Sequence, residues 1–220
     1  MSPPRLVWGA GEETGSDWLA ADFEYGPGID MACDIVVDGL PLESDSIGCA
    51  YGRHTLQRLK IWDLWSALRE FYRVLQPGAA MRLSFADFDL AFASYRDGKA
   101  ENLWSNGWKT LSGKLISQIV ENGYLSTPLN FEMAEEMLLN AGFDEVRRSQ
   151  YRETTSGSPE LVELDTRPGD SFYVDAFKRL PSRPAYPAAP GPASQVHLSW
   201  TADPSVSLTV TWHTPAGSLN

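Results

Sequence analysis

The chain is poor in the residues that carry metal, redox and basic-surface chemistry, with two cysteines and three histidines in 220 residues. Cys33 and Cys49 both fall inside apolar, strand-like runs, where a free thiol behaves as a small hydrophobe; a reduced, cytoplasmic setting fits. Basic residues are scarce as well. Eighteen Lys and Arg face 29 Asp and Glu, giving a net charge of −11. No lysine or arginine run makes a local exception, so an electrostatic grip on a nucleic-acid backbone is not expected. Long apolar runs are missing too. No segment reaches the length needed to span a bilayer, and the first residues lack a charged lead followed by an apolar stretch, so no membrane partner is expected. What is plentiful is core material, 43% apolar and 11% aromatic, ample for one full domain with some remainder.

The chain is organised around Arg5 to Asp22. Leu6-Val7-Trp8 has the length and side chains of a strand buried on both faces, and it stops at Gly9-Ala10-Gly11. Two glycines one residue apart let the backbone approach a ligand and take angles closed to other residues. A second strand, Leu19-Ala20-Ala21, ends in Asp22. Ligands of open α/β sheets sit off the carboxyl ends of the strands, where a carboxylate can accept two hydrogen bonds from a ribose diol. The pair reads as half of a nucleoside site. Only about seven residues separate the glycine turn from this second strand, too few for a full crossover helix. Either that helix is reduced to a turn or the strand lies elsewhere.

Further on, Met31 to Asp38 is a third strand ending near Asp34, and Ile47 to Gly52 a fourth, with His54 directly after it. Leu64, Trp65, Leu68, Phe71, Tyr72 and Leu75 recur at helical steps, with Arg69, Glu70 and Arg73 on the outer face and a stop at Gln76-Pro77-Gly78. Ala79 to Phe85 is a fifth strand, and Asp87 caps a helix carrying Phe88, Phe92 and Tyr95. Leu103, Trp104, Trp108, Leu111, Leu115, Ile116 and Ile119 form a helical stripe whose aromatic residues pack against the sheet. Phe131 to Leu139 is a helix stopped at Gly142. Tyr151 to Pro168 is an insertion whose acids Glu160, Glu163 and Asp165 form a solvated face with no metal-ligand spacing. Strands alternating with helices argue for a mainly parallel sheet with covered faces.

Taken together, Leu6 to Asp22, Gly26-Pro27-Gly28-Ile29-Asp30 with Asp34, Leu40-Pro41, Tyr51-Gly52-Arg53-His54-Thr55-Leu56, and the Ala67 to Gly78 helix end resemble class I S-adenosylmethionine-dependent methyltransferases of the type 11 kind. Asn140 to Val146 and Ser171 to Phe177 extend the resemblance over residues 5–180. Gln76 and Ala79 depart mildly from the family's R-V-L-K-P-G-G. Leu56-Gln57-Arg58-Leu59 departs more, since relatives commonly have L-E-H-L. The resemblance implies a Rossmann-like α/β fold: a seven-stranded sheet with a reversed last strand and helices on both faces. It further implies that S-adenosylmethionine lies across the carboxyl edge of the first strands. Gly9 and Gly11 would pass its methionine portion, Asp22 its ribose, and Asp34 and Ile35 its adenine. Tyr51 and His54 would face the transferred methyl. The activity implied is methyl transfer to a small-molecule or sugar-like acceptor. His54 is the candidate base, because an imidazole titrates near neutral pH and this one follows a strand at the mouth of the site.

Two other readings stand beside it. One is a non-catalytic cofactor-binding or interaction module joined to a downstream metallophosphatase-like enzyme; the Gln57-Arg58 pair keeps it open. The other is a nicotinamide dinucleotide site, which a third glycine and a long first helix would have favoured. Composition changes at Pro181: residues 181–194 read as a Pro/Ala-rich linker, and residues 195–220 as two alternating strands. These last residues resemble the start of the fibronectin type III-like domain that precedes the catalytic domain of purple acid phosphatases. That implies a truncated β-sandwich fragment, with no catalytic role for His197 or His213.

Overall fold

The computed structural model describes residues 3–9, 17–104, 107–120, 124–180, 195–199 and 209–213. The chain divides into two compact units, Met1–Pro181 and Ser182–Asn220. In the first, seven strands form one sheet: β1 (Arg5–Trp8), β2 (Trp18–Asp22), β3 (Met31–Ala32), β4 (Ile47–Arg53), β5 (Leu75–Ala86), β6 (Glu145–Ser149) and β7 (Ser171–Phe177). Their order is β3-β2-β1-β4-β5-β7-β6. The first five run parallel, and β7 is antiparallel to both of its neighbours. This is the Rossmann-like methyltransferase sheet with its reversed strand. The second unit shows β8 (Gln195–Ser199) antiparallel to β9 (Thr209–His213). The linker at 181–194 lies outside the described residues.

The second strand is where the sequence puts it, paired with β1 through Leu6↔Leu19 and Val7↔Ala20. Three other expectations need correction. The third strand stops at Ala32, because the Asp34 carboxylate accepts from the amides of Val36 (2.9 Å) and Val37 (3.1 Å) and bends the chain into a turn. Its apolar end is accordingly turned to solvent, Val37 being 79% exposed. Gln76-Pro77-Gly78 does not follow a helix as a loop. Helix α1 (Ile61–Val74) ends and β5 begins at once, and the three residues form an irregularity between the pairs Ile47↔Leu75 and Cys49↔Ala80. Pro77 sits where no ladder donor is required of it. The stripe from Leu103 is helical only in α3 (Leu111–Ile119).

Alternation along the strands sorts the core into two faces. Leu6, Trp8, Ala50, Met81, Leu83 and Val174 meet α1 and α4 (Phe131–Ala141) in the larger cluster. Gly142, in the left-handed region at φ 116°, ends α4 as expected. On the opposite face Val7, Ala20, Cys49, Tyr51 and Ala80 lie under Leu161 and Leu164 of a six-residue 3-10 helix, Pro159–Leu164. Helix α2 (Phe88–Arg96), capped by Asp87 as expected, packs with α3 around Ala91, Leu103 and Leu115.

The segment expected to be a solvated insertion is in fact nailed to the sheet. Asp165 is buried, and its carboxylate receives Arg82 Nε (2.9 Å) and Nη2 (2.8 Å), the Tyr51 hydroxyl (3.0 Å) and the Arg152 amide (2.7 Å). Arg82, also fully buried, reaches Asp175 with Nη1 at 2.7 Å. Asp175 in turn accepts from the hydroxyls of Ser149 (2.6 Å) and Thr154 (2.7 Å). One cation and two anions are thus surrounded by donors, the condition under which buried charge is tolerated. Glu160 is engaged as well, 3.3 Å from Arg5, whereas Glu163 is exposed as expected.

Candidate functional site

The carboxyl ends of β1, β2 and β4 lie side by side, and each ends in a residue singled out in the sequence. Gly9 follows β1 at φ +73°, a region that side chains rarely enter, and its amide donates to Ala21 O at 3.0 Å. A Cβ added there would overlap Thr55 Cγ2 and Oγ1. Glycine is therefore needed twice, for its backbone angle and for the approach of Thr55. The Thr55 hydroxyl is itself buried, with no hydrogen-bond partner among the described residues. Gly11 lies outside the described residues.

Asp22 closes β2. Its Oδ1 accepts from the Phe23 amide at 2.7 Å, and its carbonyl accepts from the Cys33 amide at 3.1 Å, which fixes the strand end. It borders a cleft of about 490 Å³ lined also by Phe23, Glu24, Pro27, Ile29 and Arg58. That is within the size range of small-molecule sites. A larger depression of about 960 Å³ runs along α1 past Arg69, Glu70, Arg73 and Lys178. Two of its cations are already committed: Arg73 binds Glu70 and the carbonyls of Leu40 and Leu42, and Lys178 binds Asp45 and the carbonyls of Tyr72 and Leu75. Glu70 and Arg73, expected on an outer face, are thereby the clasp of the Leu40-Pro41 loop. The cleft at Asp22 is the better ligand site.

Asp34 and Ile35 do not border that cleft. Asp34 Oδ1 accepts two amides of its own turn, and Ile35 is 1% exposed in the core. Tyr51 does not border that cleft either. It lies inside β4 rather than at its end, is fully buried on the face covered by the 3-10 helix, and donates to Asp165. Burial, reinforced by the Asp165 charge, pushes its phenol far up, so the proton stays on. Cys49, on the same face, has its thiol pushed up to about 12 by burial and by Glu160, in keeping with a small hydrophobe.

His54 lies just past β4, at φ +43°, and its amide donates to Ser84 O at 3.1 Å. Nε2 is 3.2 Å from Ser171 Oγ. Burial lowers its pKa to about 4; the Arg167 and Arg53 charges push the same way, and Asp170 opposes them. The imidazole is therefore neutral at pH 7, available as a proton acceptor but a weak one. Nearby, Arg167 stacks on Trp104 at 5.6 Å. Trp108, expected to pack against the sheet, is 56% exposed, and Tyr124 is 65% exposed.

Gln57 carries a role the sequence pattern did not disclose. Its Oε1 accepts from the Ala86 amide (2.8 Å) while its Nε2 donates to the Ala86 carbonyl (3.3 Å), clasping the end of β5. Its own carbonyl takes the amides of Ser126 and Thr127. The departure from L-E-H-L at this position is thus an amide that both donates and accepts. Arg58, the other departure, borders the Asp22 cleft.

No family model and no curated protein matches the sequence. Solved structures do match the fold. A SAM-dependent methyltransferase from Archaeoglobus fulgidus aligns with TM-score 0.50 at 10% identity, over 78% of this chain and 84% of that one. A SAM-dependent methyltransferase from Thermotoga maritima aligns at 0.49 and 16% identity, over 81% and 84%. One from Mesorhizobium loti gives 0.48 and 19%, over 79% and 90%. At such identities only the shared fold follows.

Proposed function

We propose that the first unit binds S-adenosylmethionine and transfers its methyl group to a small-molecule acceptor. The observation that carries this reading is the meeting, at one sheet edge, of the positive-φ Gly9, the unpartnered Thr55 hydroxyl and Asp22 at the mouth of a cleft. The fit of these groups is chemical. Asp22 Oδ2 has no partner among the described residues and can accept from a ribose hydroxyl, Phe23, Pro27 and Ile29 offer apolar walls, and Thr55 offers a hydroxyl beside the glycine turn. When bound, the cofactor supplies an activated sulfonium methyl. The chain's own share is to hold the acceptor in line, for which orientation alone is worth about 7–11 kcal/mol, and to take a proton where the acceptor has one to lose. Asp34, Ile35 and Tyr51 support the fold around the site rather than contact the ligand. Both cysteines are free, which suits a reducing compartment. No helix among the described residues is long and apolar enough to cross a membrane.

The test is calorimetric titration of S-adenosylmethionine and S-adenosylhomocysteine into the protein and into Asp22→Ala, with nicotinamide dinucleotide as a control. Micromolar binding that weakens at least tenfold in the variant, about 1.4 kcal/mol, supports the reading. A folded wild type that binds neither sulfur nucleoside overturns it.

A further inference from the structure

We infer that Ser171 and Asp170 are positioning residues that fix His54 in the Nε2–H tautomer, leaving Nδ1 as the proton acceptor for an acceptor substrate bearing O–H or N–H. This rests on the methyltransferase reading above and adds a substrate class to it.

The inference follows from counting protons. Ser171 Oγ has one hydrogen, and it is given to Asp170 Oδ1 at 2.7 Å, a short bond to a carboxylate. The same oxygen is 3.2 Å from His54 Nε2. With its hydrogen committed, Ser171 can only accept at that contact, so Nε2 must donate. A neutral imidazole carries one N–H, and its lone pair is then on Nδ1. Nδ1 makes no hydrogen bond among the described residues. The ring is held where this matters, since His54 is kept at positive φ by a backbone bond to β5, and Asp170 and Ser171 sit at the start of β7 beside it. Strained backbone of this kind persists only where its surroundings enforce it.

The proton balance is simple. The acceptor's O–H or N–H bond breaks, its proton goes to Nδ1, and the electron pair stays on the acceptor atom that receives the methyl. The resulting imidazolium donates through Nε2 to Ser171, whose hydroxyl is polarised by the Asp170 carboxylate. The charges facing the ring are Arg53 on its own strand and Arg167 and Asp170 on the segment leading into β7. Burial and the two cations disfavour the imidazolium, and Asp170 is the group that opposes them.

The experiment is ¹⁵N NMR of the histidine rings in the full chain, with His54 assigned by loss of its signals in His54→Gln. At pH 7 the expected pattern is protonated Nε2 and unprotonated Nδ1. Ser171→Ala removes the partner of Nε2 and should raise the share of the opposite tautomer, and Ser171→Thr, which keeps the hydroxyl, should restore the wild-type pattern. Asp170→Asn should move the His54 titration midpoint further down. A wild-type ring protonated at Nδ1, or a tautomer and midpoint indifferent to both variants, overturns the inference. Calorimetry of the same proteins with S-adenosylhomocysteine separates the two levels. Wild-type binding with the wrong tautomer sinks only the relay, whereas the right tautomer without binding sinks the methyltransferase reading on which the substrate class depends.

Discussion

Replacing Asp165 by Asn should be among the most damaging conservative substitutions in the chain. The carboxylate takes four hydrogen bonds, two from Arg82 and one each from Tyr51 and the Arg152 amide, and both ion-pair side chains are fully buried. An amide of the same size keeps one acceptor oxygen but turns an NH₂ toward donors, leaving Arg82 half unpaired in a fully buried site. Removing one member of a buried pair costs about 3–5 kcal/mol, a large share of a typical folding stability of about 5–15 kcal/mol. With a urea slope of about 2 kcal/mol per molar, the unfolding midpoint should fall by roughly 1.5–2.5 M. Urea titration followed by tryptophan fluorescence measures it. Glu145→Ala serves as the control, since it breaks only surface pairs, to Arg147 and Arg179, and should leave the midpoint nearly unmoved. A loss below about 1 kcal/mol in Asp165→Asn would mean that the pair is solvated like a surface bridge and that the 150–165 segment is not anchored through it.

Three further outcomes are expected. Gly9→Ala forces a side chain to positive φ and onto Thr55, and should cost about 1–3 kcal/mol in thermal or urea unfolding; an unchanged midpoint would contradict the described turn. His54 is neutral in the fold down to about pH 4 but charges near 6.5 when unfolded, so between those values the unfolded chain binds more protons and stability falls as pH falls. The loss amounts to at most about 3 kcal/mol; stability–pH curves of wild type and His54→Gln should diverge in that window, and parallel curves would refute it. Gln57→Glu keeps the acceptor for the Ala86 amide but sets a carboxylate oxygen against the Ala86 carbonyl, and should destabilise by about 1–3 kcal/mol at pH 7. Recovery of that loss at pH 4, where the acid protonates and can donate, would identify the cause, and its persistence would point elsewhere.

Most of the parallel strands are legible because strands buried on both faces advertise themselves as short apolar runs with polar ends. The same logic located Asp22 and the helix cap at Asp87. It failed where a local polar group outbid an apolar run: Met31 to Asp38 has β-forming composition, yet the Asp34 carboxylate holds the amides of Val36 and Val37 and makes a turn. Asp34 and Ile35 accordingly lie away from the cleft at Asp22, and a strand predicted to end at Gly52 gives no hint that Tyr51 takes the buried face under the 3-10 helix. The buried ion network did leave a signal. Arg82 stands inside the apolar run of β5 and Asp175 inside that of β7, opposite charges in strands otherwise fit only for a core, and the two are direct cross-strand partners. A lone charge in each of two buried strands is expensive unless they meet.

The short link between β1 and β2 and the buried acid at 165 are connected. Parallel neighbours ordinarily need a crossover of a dozen residues or more, and its helix covers one face of the sheet. Here β1 ends at Trp8 and β2 starts at Trp18, so the face bearing Val7, Ala20, Cys49 and Tyr51 must be covered by something else. Leu161 and Leu164 do so from the far end of the chain, and a six-residue 3-10 helix presents too little apolar surface to dock by burial alone. The Asp165 carboxylate, reaching Arg82 and Tyr51 through the sheet's own side chains, supplies the missing hold. Arg5 strengthens it from β1, lying over Trp18 at 6.0 Å while bridging Glu160. From Asp165 the chain continues through Arg167 and Asp170 to Ser171, beside His54, so the anchor that closes the second face also sets the position of the groups around the proposed base. Stability of the sheet and the state of the imidazole are therefore coupled through one segment, and Asp165→Asn should disturb the His54 tautomer before it unfolds the domain.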